Sequence, residues 1–88
     1  MKEHPTTVLL IEDERQMRRF LRVALQSEGY NAIEAETAAT GLSEAALRNP
    51  DIVLLDLGLP DMDGLEVIAR LREWSSVPVI VITARDQE

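Results

Sequence analysis

A doubly wound, parallel α/β sheet is the fold class this sequence predicts, and three observations carry it. Short apolar runs alternate with segments of helical periodicity along the whole chain. Several of those runs are almost unbroken aliphatic and β-branched residues, as parallel strands covered on both faces require. The third observation is size: 88 residues supply one modest core, so the elements must share a single domain.

The elements follow in order. Val8-Leu9-Leu10-Ile11 is read as an interior strand. After it, Met17, Phe20, Leu21, Ala24 and Leu25 fall at i, i+3, i+4, i+7 and i+8, which predicts a helix with one buried face. Asp13 stands where a cap would open that helix, and Gly29 stands where a left-handed residue would stop it. Tyr30 to Ala35 alternates as an edge strand does. The second helix opens at Thr37, turns Ala38, Leu42, Ala45 and Ala46 inward and ends at Asn49-Pro50; its small residues predict close packing on the sheet. Ile52-Val53-Leu54-Leu55 is the third strand. The third helix runs from about Gly64 to Trp74, with Leu65, Ile68, Leu71 and Trp74 toward the core. Val77 to Ile82, around Pro78, is the fourth strand. Such units imply right-handed crossovers, and ligands then bind beyond the carboxyl ends of the strands, where the strand order reverses.

Composition narrows the function classes. With 45% hydrophobic and 28% charged residues, the balance is that of a folded soluble chain and not of a disordered one. A net charge of -7 opposes nonspecific binding to DNA or anionic lipid, both of which are negative, so any contact with DNA is expected only through a further C-terminal domain. The absence of cysteine excludes disulfides and thiolate metal sites. No apolar run approaches membrane-spanning length, so no membrane partner is expected. Met1-Lys2-Glu3-His4-Pro5 lacks the apolar stretch of a signal peptide, which leaves the cytoplasm as the expected location.

The chemistry is expected where strands end. The first strand delivers Glu12-Asp13, the third Asp56 and the fourth Thr83. Singly, each has a plain explanation: an acidic residue after a strand is often a helix cap or a solvated loop residue, and a threonine is a β-branched strand end. Together they are informative, because acidic side chains gathered on one rim repel one another unless a cation or proton compensates. An oxygen-only donor set points to Mg²⁺, and a carboxylate beside such a cation can act as a nucleophile on phosphorus.

Glu12-Asp13, Asp56 within Leu54-Leu55-Asp56-Leu57-Gly58-Leu59-Pro60-Asp61-Met62-Asp63-Gly64, and Val79-Ile80-Val81-Ile82-Thr83-Ala84-Arg85 resemble the receiver domains of two-component response regulators. The likeness runs from Thr7 to the end, and the spacing around Asp56 together with Arg72-Glu73-Trp74-Ser75-x-Val77-Pro78-Val79-Ile80 is most similar to the winged-helix, OmpR-like class. It implies a flavodoxin-like sheet in strand order 2-1-3-4, with residues 1–6 as an N-terminal arm and 7–88 as a truncated receiver domain. It further implies that Asp56 accepts a phosphoryl group from a sensor histidine kinase, that Asp13, Asp56 and the backbone carbonyl of Gly58 bind Mg²⁺, and that Glu12 acts through a metal-bound water. Thr83 would give its hydroxyl to a phosphate oxygen, which in the family draws the residue inward and drives the switch. Pro60 and Gly64 would shape the loop after Asp56. A receiver of this kind undergoes phosphoryl transfer and self-dephosphorylation and switches a transcriptional output domain; it is not a conventional enzyme.

The family has a lysine at the end of a fifth strand, whereas the only lysine here is Lys2, and the family continues past Arg85-Asp86-Gln87-Glu88 into a fourth helix, a fifth strand and a fifth helix. A chain lacking them would leave the fourth strand as an open edge, available for self-association, and would uncover the Met17, Phe20, Leu21 region. Arg15, Arg18, Arg19 and Arg22 share a stripe beside the buried face of the first helix. It is read either as a solvated face partly paired through Glu14 and Arg18, or as the docking face that family members present to the kinase. Two other functions are kept open. One is a Mg²⁺-dependent phosphatase with an aspartyl nucleophile, although Leu57-Gly58 follows Asp56 where such enzymes resemble Asp-x-Asp; the other is a structural receiver fragment that is never phosphorylated.

Overall fold

The computed structural model describes residues 4–82, so Thr83 and the segment after it lie outside the described residues, as does Lys2. Strands and helices alternate as β1 (Thr7–Ile11), α1 (Arg15–Ser27), β2 (Asn31–Ala35), α2 (Ala38–Arg48), β3 (Ile52–Asp56), α3 (Gly64–Arg72) and β4 (Val79–Ile82). The strands are all parallel and pair in the order β2-β1-β3-β4. Leu9 of β1 lies opposite Ile33 on one side and Val53 on the other, and Asp56 at the end of β3 lies opposite Ile82. The strand order reverses at β1, whose neighbours are β2 and β3, and this puts the ends of β1 and β3 side by side.

Alternation along each strand divides the interior. Leu9, Ile11, Val53 and Leu55 form the main core with Ala35, Ala38, Ala45, Val67 and Leu71, between the sheet and the pair α2 and α3. Leu9, Ile11, Leu55 and Leu71 are wholly buried, and each contributes about 1.5–3 kcal/mol by leaving water. Val8 and Leu10 alternate to the opposite face, where α1 lies along β1 and β2. The close packing expected of α2 is carried by Gly41, a residue absent from the expected face: a Cβ there would come within 2.5 Å of Ile11 Cδ1. The helix stops at Asn49, which adopts φ 50° and ψ 60°, and Gly29 after α1 has φ 90°, both as expected of left-handed stops.

Several expected positions are corrected. Asp13 does not cap α1; Glu14 does, its Oε1 accepting the Met17 N–H at 2.8 Å. None of the α1 residues is buried: Met17, Leu21 and Leu25 are half-buried, whereas Ala24 is exposed and Phe20 is 66% exposed. The helix rests on the β1 and β2 half of the sheet, so only the side against those strands is covered. In α2, Ala46 is exposed. In α3 the inward face is Gly64, Val67 and Leu71 with Ile68 beside it, while Leu65 is 65% and Trp74 50% exposed. Trp74 lies past the end of α3 at Arg72, so the helical spacing that put it inward no longer applies. β4 is shorter than expected, beginning after Pro78, and it forms an edge with Ile80 and Val81 about half exposed.

Candidate functional site

The site is built from the ends of the two central strands. Glu12 continues the line of β1, its N–H donating to the Ala35 carbonyl at 3.0 Å, and Asp13 follows it. Asp56 is the last residue of β3. Carboxylate oxygens of Glu12, Asp13 and Asp56 all lie within 4.8 Å of one another, with Glu12 and Asp56 buried at 3% and 1% exposure and Asp13 half-buried. Two unit charges at such a distance repel by about 3–4 kcal/mol at an effective dielectric of about 20. Asp56 Oδ1 accepts the Gly58 N–H at 3.2 Å, and Glu12 Oε2 accepts the Glu14 N–H at 2.9 Å.

Burial pushes the Glu12 carboxyl above the usual range; the Glu14 N–H opposes this, and the charges of Asp56 and Asp13, with a hydrogen bond to Asp56, add to it. The donor set is therefore all oxygen, close-set and charge-frustrated, the condition that a hard divalent cation relieves, so the residues present fit Mg²⁺.

The expected residues Glu12, Asp13 and Asp56 are thus brought together, and Gly58 stands two positions beyond Asp56 on the same loop. Thr83 lies outside the described residues. Gly64 packs against that loop from α3: a Cβ at Gly64 would meet Leu57 Cα at 2.8 Å. The loop is anchored at its far end by Asp61, whose two oxygens accept the Ala38 and Ala39 N–H groups at 2.9 and 3.0 Å, and Asp63 caps α3 by accepting the Leu65 N–H.

On the other side, two of the four stripe arginines, Arg18 and Arg22, are engaged, through Glu34 and the Glu12 carbonyl in place of the expected pairing of Arg18 with Glu14. Arg18 donates from Nη1 to the Glu12 carbonyl at 2.9 Å and from Nε to Glu34 at 3.2 Å, and Arg22 Nε lies 3.0 Å from the other Glu34 oxygen. Arg15 and Arg19 are exposed. The Arg18 and Asp61 anchors were missed by sequence reasoning, because each joins segments whose proximity exists only once the sheet is assembled; the polar wording of the loop and the stripe were the available signals.

The sequence profile of the response regulator receiver domain matches residues 8–88. The KDP operon transcriptional regulatory protein KdpE of Escherichia coli is 59% identical over 83 residues, covering 94% of this chain and 37% of that protein. KdpE of Mycobacterium tuberculosis is 52% identical over 80 residues, covering 91% and 35%. This chain therefore spans little more than a third of those relatives. The resemblance of the Asp56 to Gly64 and Arg72 to Ile80 wording to the regulator of the Kdp potassium-uptake system agrees with these two matches. Among solved structures, the MaeR response regulator bound to beryllium trifluoride superposes with a TM-score of 0.83 at 33% identity, covering 93% of this chain and 70% of that one. The signal receiver domain of a LuxO-type repressor protein from Vibrio parahaemolyticus gives 0.83 at 28% identity, covering 94% and 65%. Strand order, the acidic rim and the match over residues 8–88 agree: this chain belongs to the response regulator receiver domain family.

Proposed function

We propose that Asp56 is the phosphoacceptor of a two-component switch, taking its phosphoryl group from a sensor histidine kinase. The observation that carries this is the convergence of Glu12, Asp13 and Asp56 oxygens within 4.8 Å at the ends of adjacent strands. An Asp56 carboxylate oxygen attacks phosphorus, the bond from phosphorus to the donor nitrogen breaks, and the electron pair returns to the donor imidazole, leaving an acyl phosphate on Asp56. The burial of Asp56 limits water access to that acyl phosphate, and its hydrolysis resets the switch. Asp13, Asp56 and the Gly58 carbonyl would hold Mg²⁺, with Glu12 acting through a metal-bound water. When bound, the cation supplies neutralisation of the phosphoryl oxygens. Thr83 is proposed to donate its hydroxyl to a phosphoryl oxygen. That a structural neighbour is described as bound to beryllium trifluoride supports the reading, since a fluoroberyllate on a carboxylate copies the shape and charge of a phosphoryl group. The output is proposed to be transcriptional, through a DNA-binding domain beyond this chain.

Incubation with a small phosphodonor and Mg²⁺ is expected to add one acid-stable, base-labile phosphoryl group that Asp56→Asn removes; retention of the group in that variant would move the acceptor elsewhere. Mg²⁺ is also expected to raise the thermal midpoint by relieving repulsion in the cluster, and Asp13→Asn to abolish most of that rise. A midpoint insensitive to Mg²⁺ in the native chain would reject the cation assignment.

A further inference from the structure

We infer that Arg18 is a positioning residue for the acidic cluster, holding the peptide between Glu12 and Asp13 in place from α1. Its guanidinium is used at all three nitrogens: Nη1 donates to the Glu12 carbonyl at 2.9 Å, Nε lies 3.2 Å from Glu34 Oε1, and Nη2 lies 3.8 Å from Glu36 Oε2. The side chain is only 13% exposed. Glu12 is otherwise fixed at its N–H by the Ala35 carbonyl and at its carboxylate by the Glu14 N–H. The peptide plane that leads into Asp13 sets the direction in which the Asp13 side chain departs. The bond from Nη1 restrains that plane at its carbonyl.

The anchor is braced in turn, because Glu34 is part of β2 and its second oxygen lies 3.0 Å from Arg22 Nε. A planar fork is needed to reach a carbonyl and a carboxylate at once from one side chain, which a lysine ammonium does less well. Arg22 supplies a control built into the same helix, since it braces Glu34 without contacting the Glu12 carbonyl in any bond described above.

This inference deepens the proposed cation site and rests on it for one of its two readouts. Mg²⁺ affinity is measured by calorimetry in the full chain, and the Asp13 amide is followed by NMR without metal, for the native protein, Arg18→Gln, Arg18→Lys and Arg22→Gln. Each is studied at a temperature where circular dichroism shows it folded. Arg18→Gln is expected to weaken Mg²⁺ binding by about tenfold, the size typical of losing the partner that orients a metal ligand, and to shift or broaden the Asp13 amide. Arg18→Lys should recover part of both effects, and Arg22→Gln, which loosens only the Glu34 brace and leaves the bond to the Glu12 carbonyl, should change both clearly less than Arg18→Gln. Equal behaviour of Arg18→Gln and Arg22→Gln overturns the positioning role. A native chain that does not bind Mg²⁺ overturns the cation reading instead, and Arg18 is then judged by the metal-free Asp13 amide, which an unchanged resonance in Arg18→Gln would refute.

Discussion

Asp61 carries its charge to the N-terminus of α2, a helix with no acidic residue in its first turn. The Ala38 N–H, and then the Ala39 N–H, stabilise the ionised carboxyl and hold it below the ordinary carboxylate range. A carboxyl that is a stronger acid when folded adds stability above its unfolded pKa and loses that contribution as pH falls through the lowered folded value. Asp61→Asn is therefore expected to lower the thermal midpoint at neutral pH and to leave it unchanged in acid below that value. A loss of equal size at both pH values, read by circular dichroism, would reject the charge-based cap. Residues of this kind divide by how far their partners lie along the chain. Glu12, Asp13 and Asp56 were legible because each ends an apolar run, and the parallel fold alone brings such ends together. Asp61 was legible only as loop wording, because its partners are 23 and 22 positions away and nothing local marks them.

The helices show where periodicity succeeds and where it misleads at the level of an element. It located all three and placed Leu71 and Ile68 correctly against the core, yet it turned the rest of α3 toward Leu65 and Trp74, because Leu65, Ile68, Leu71 and Trp74 form as good a series as Gly64, Val67 and Leu71. What decides between them is the sheet: Gly64 is forced inward by its contact with Leu57, and the face carrying Val67 and Leu71 follows from it. A glycine has no side chain with which to mark a helix face, so the close approach of Gly64 to Leu57 left no sign in the periodicity; Gly41 against Ile11 repeats the case in α2. Leu71→Ala is expected to cost about 2–5 kcal/mol in urea unfolding and Leu65→Ala less than about 0.5 kcal/mol. Comparable losses for the two would mean that α3 presents the other face.

Considered as a whole molecule, the described residues are a four-stranded sheet with β2 and β4 at its margins, and the margins differ in kind. β2 carries Glu34, tied to α1 by Arg18 and Arg22, whereas β4, the other edge among the described residues, offers Ile80 at 51% and Val81 at 44% exposure. An apolar edge of this sort is a template for pairing. The 88-residue polypeptide studied by itself is expected to associate in a concentration-dependent way, despite a net charge of -7, and Ile80→Lys to suppress that association. A compact, concentration-independent monomer in light scattering would contradict this. The position of β1 has a different consequence, one of timing. Val8 to Ile11 is synthesised before both of its neighbours, yet it lies between them in the sheet and needs Ala32 to Ala35 on one flank and Ile52 to Leu55 on the other. At a ribosomal pace of about 5–20 residues per second, this apolar strand waits roughly 2–9 s between its own synthesis and that of its second partner. During that interval the segment can pair on its β2 flank alone, which leaves its other flank open to misassociation until the third strand exists.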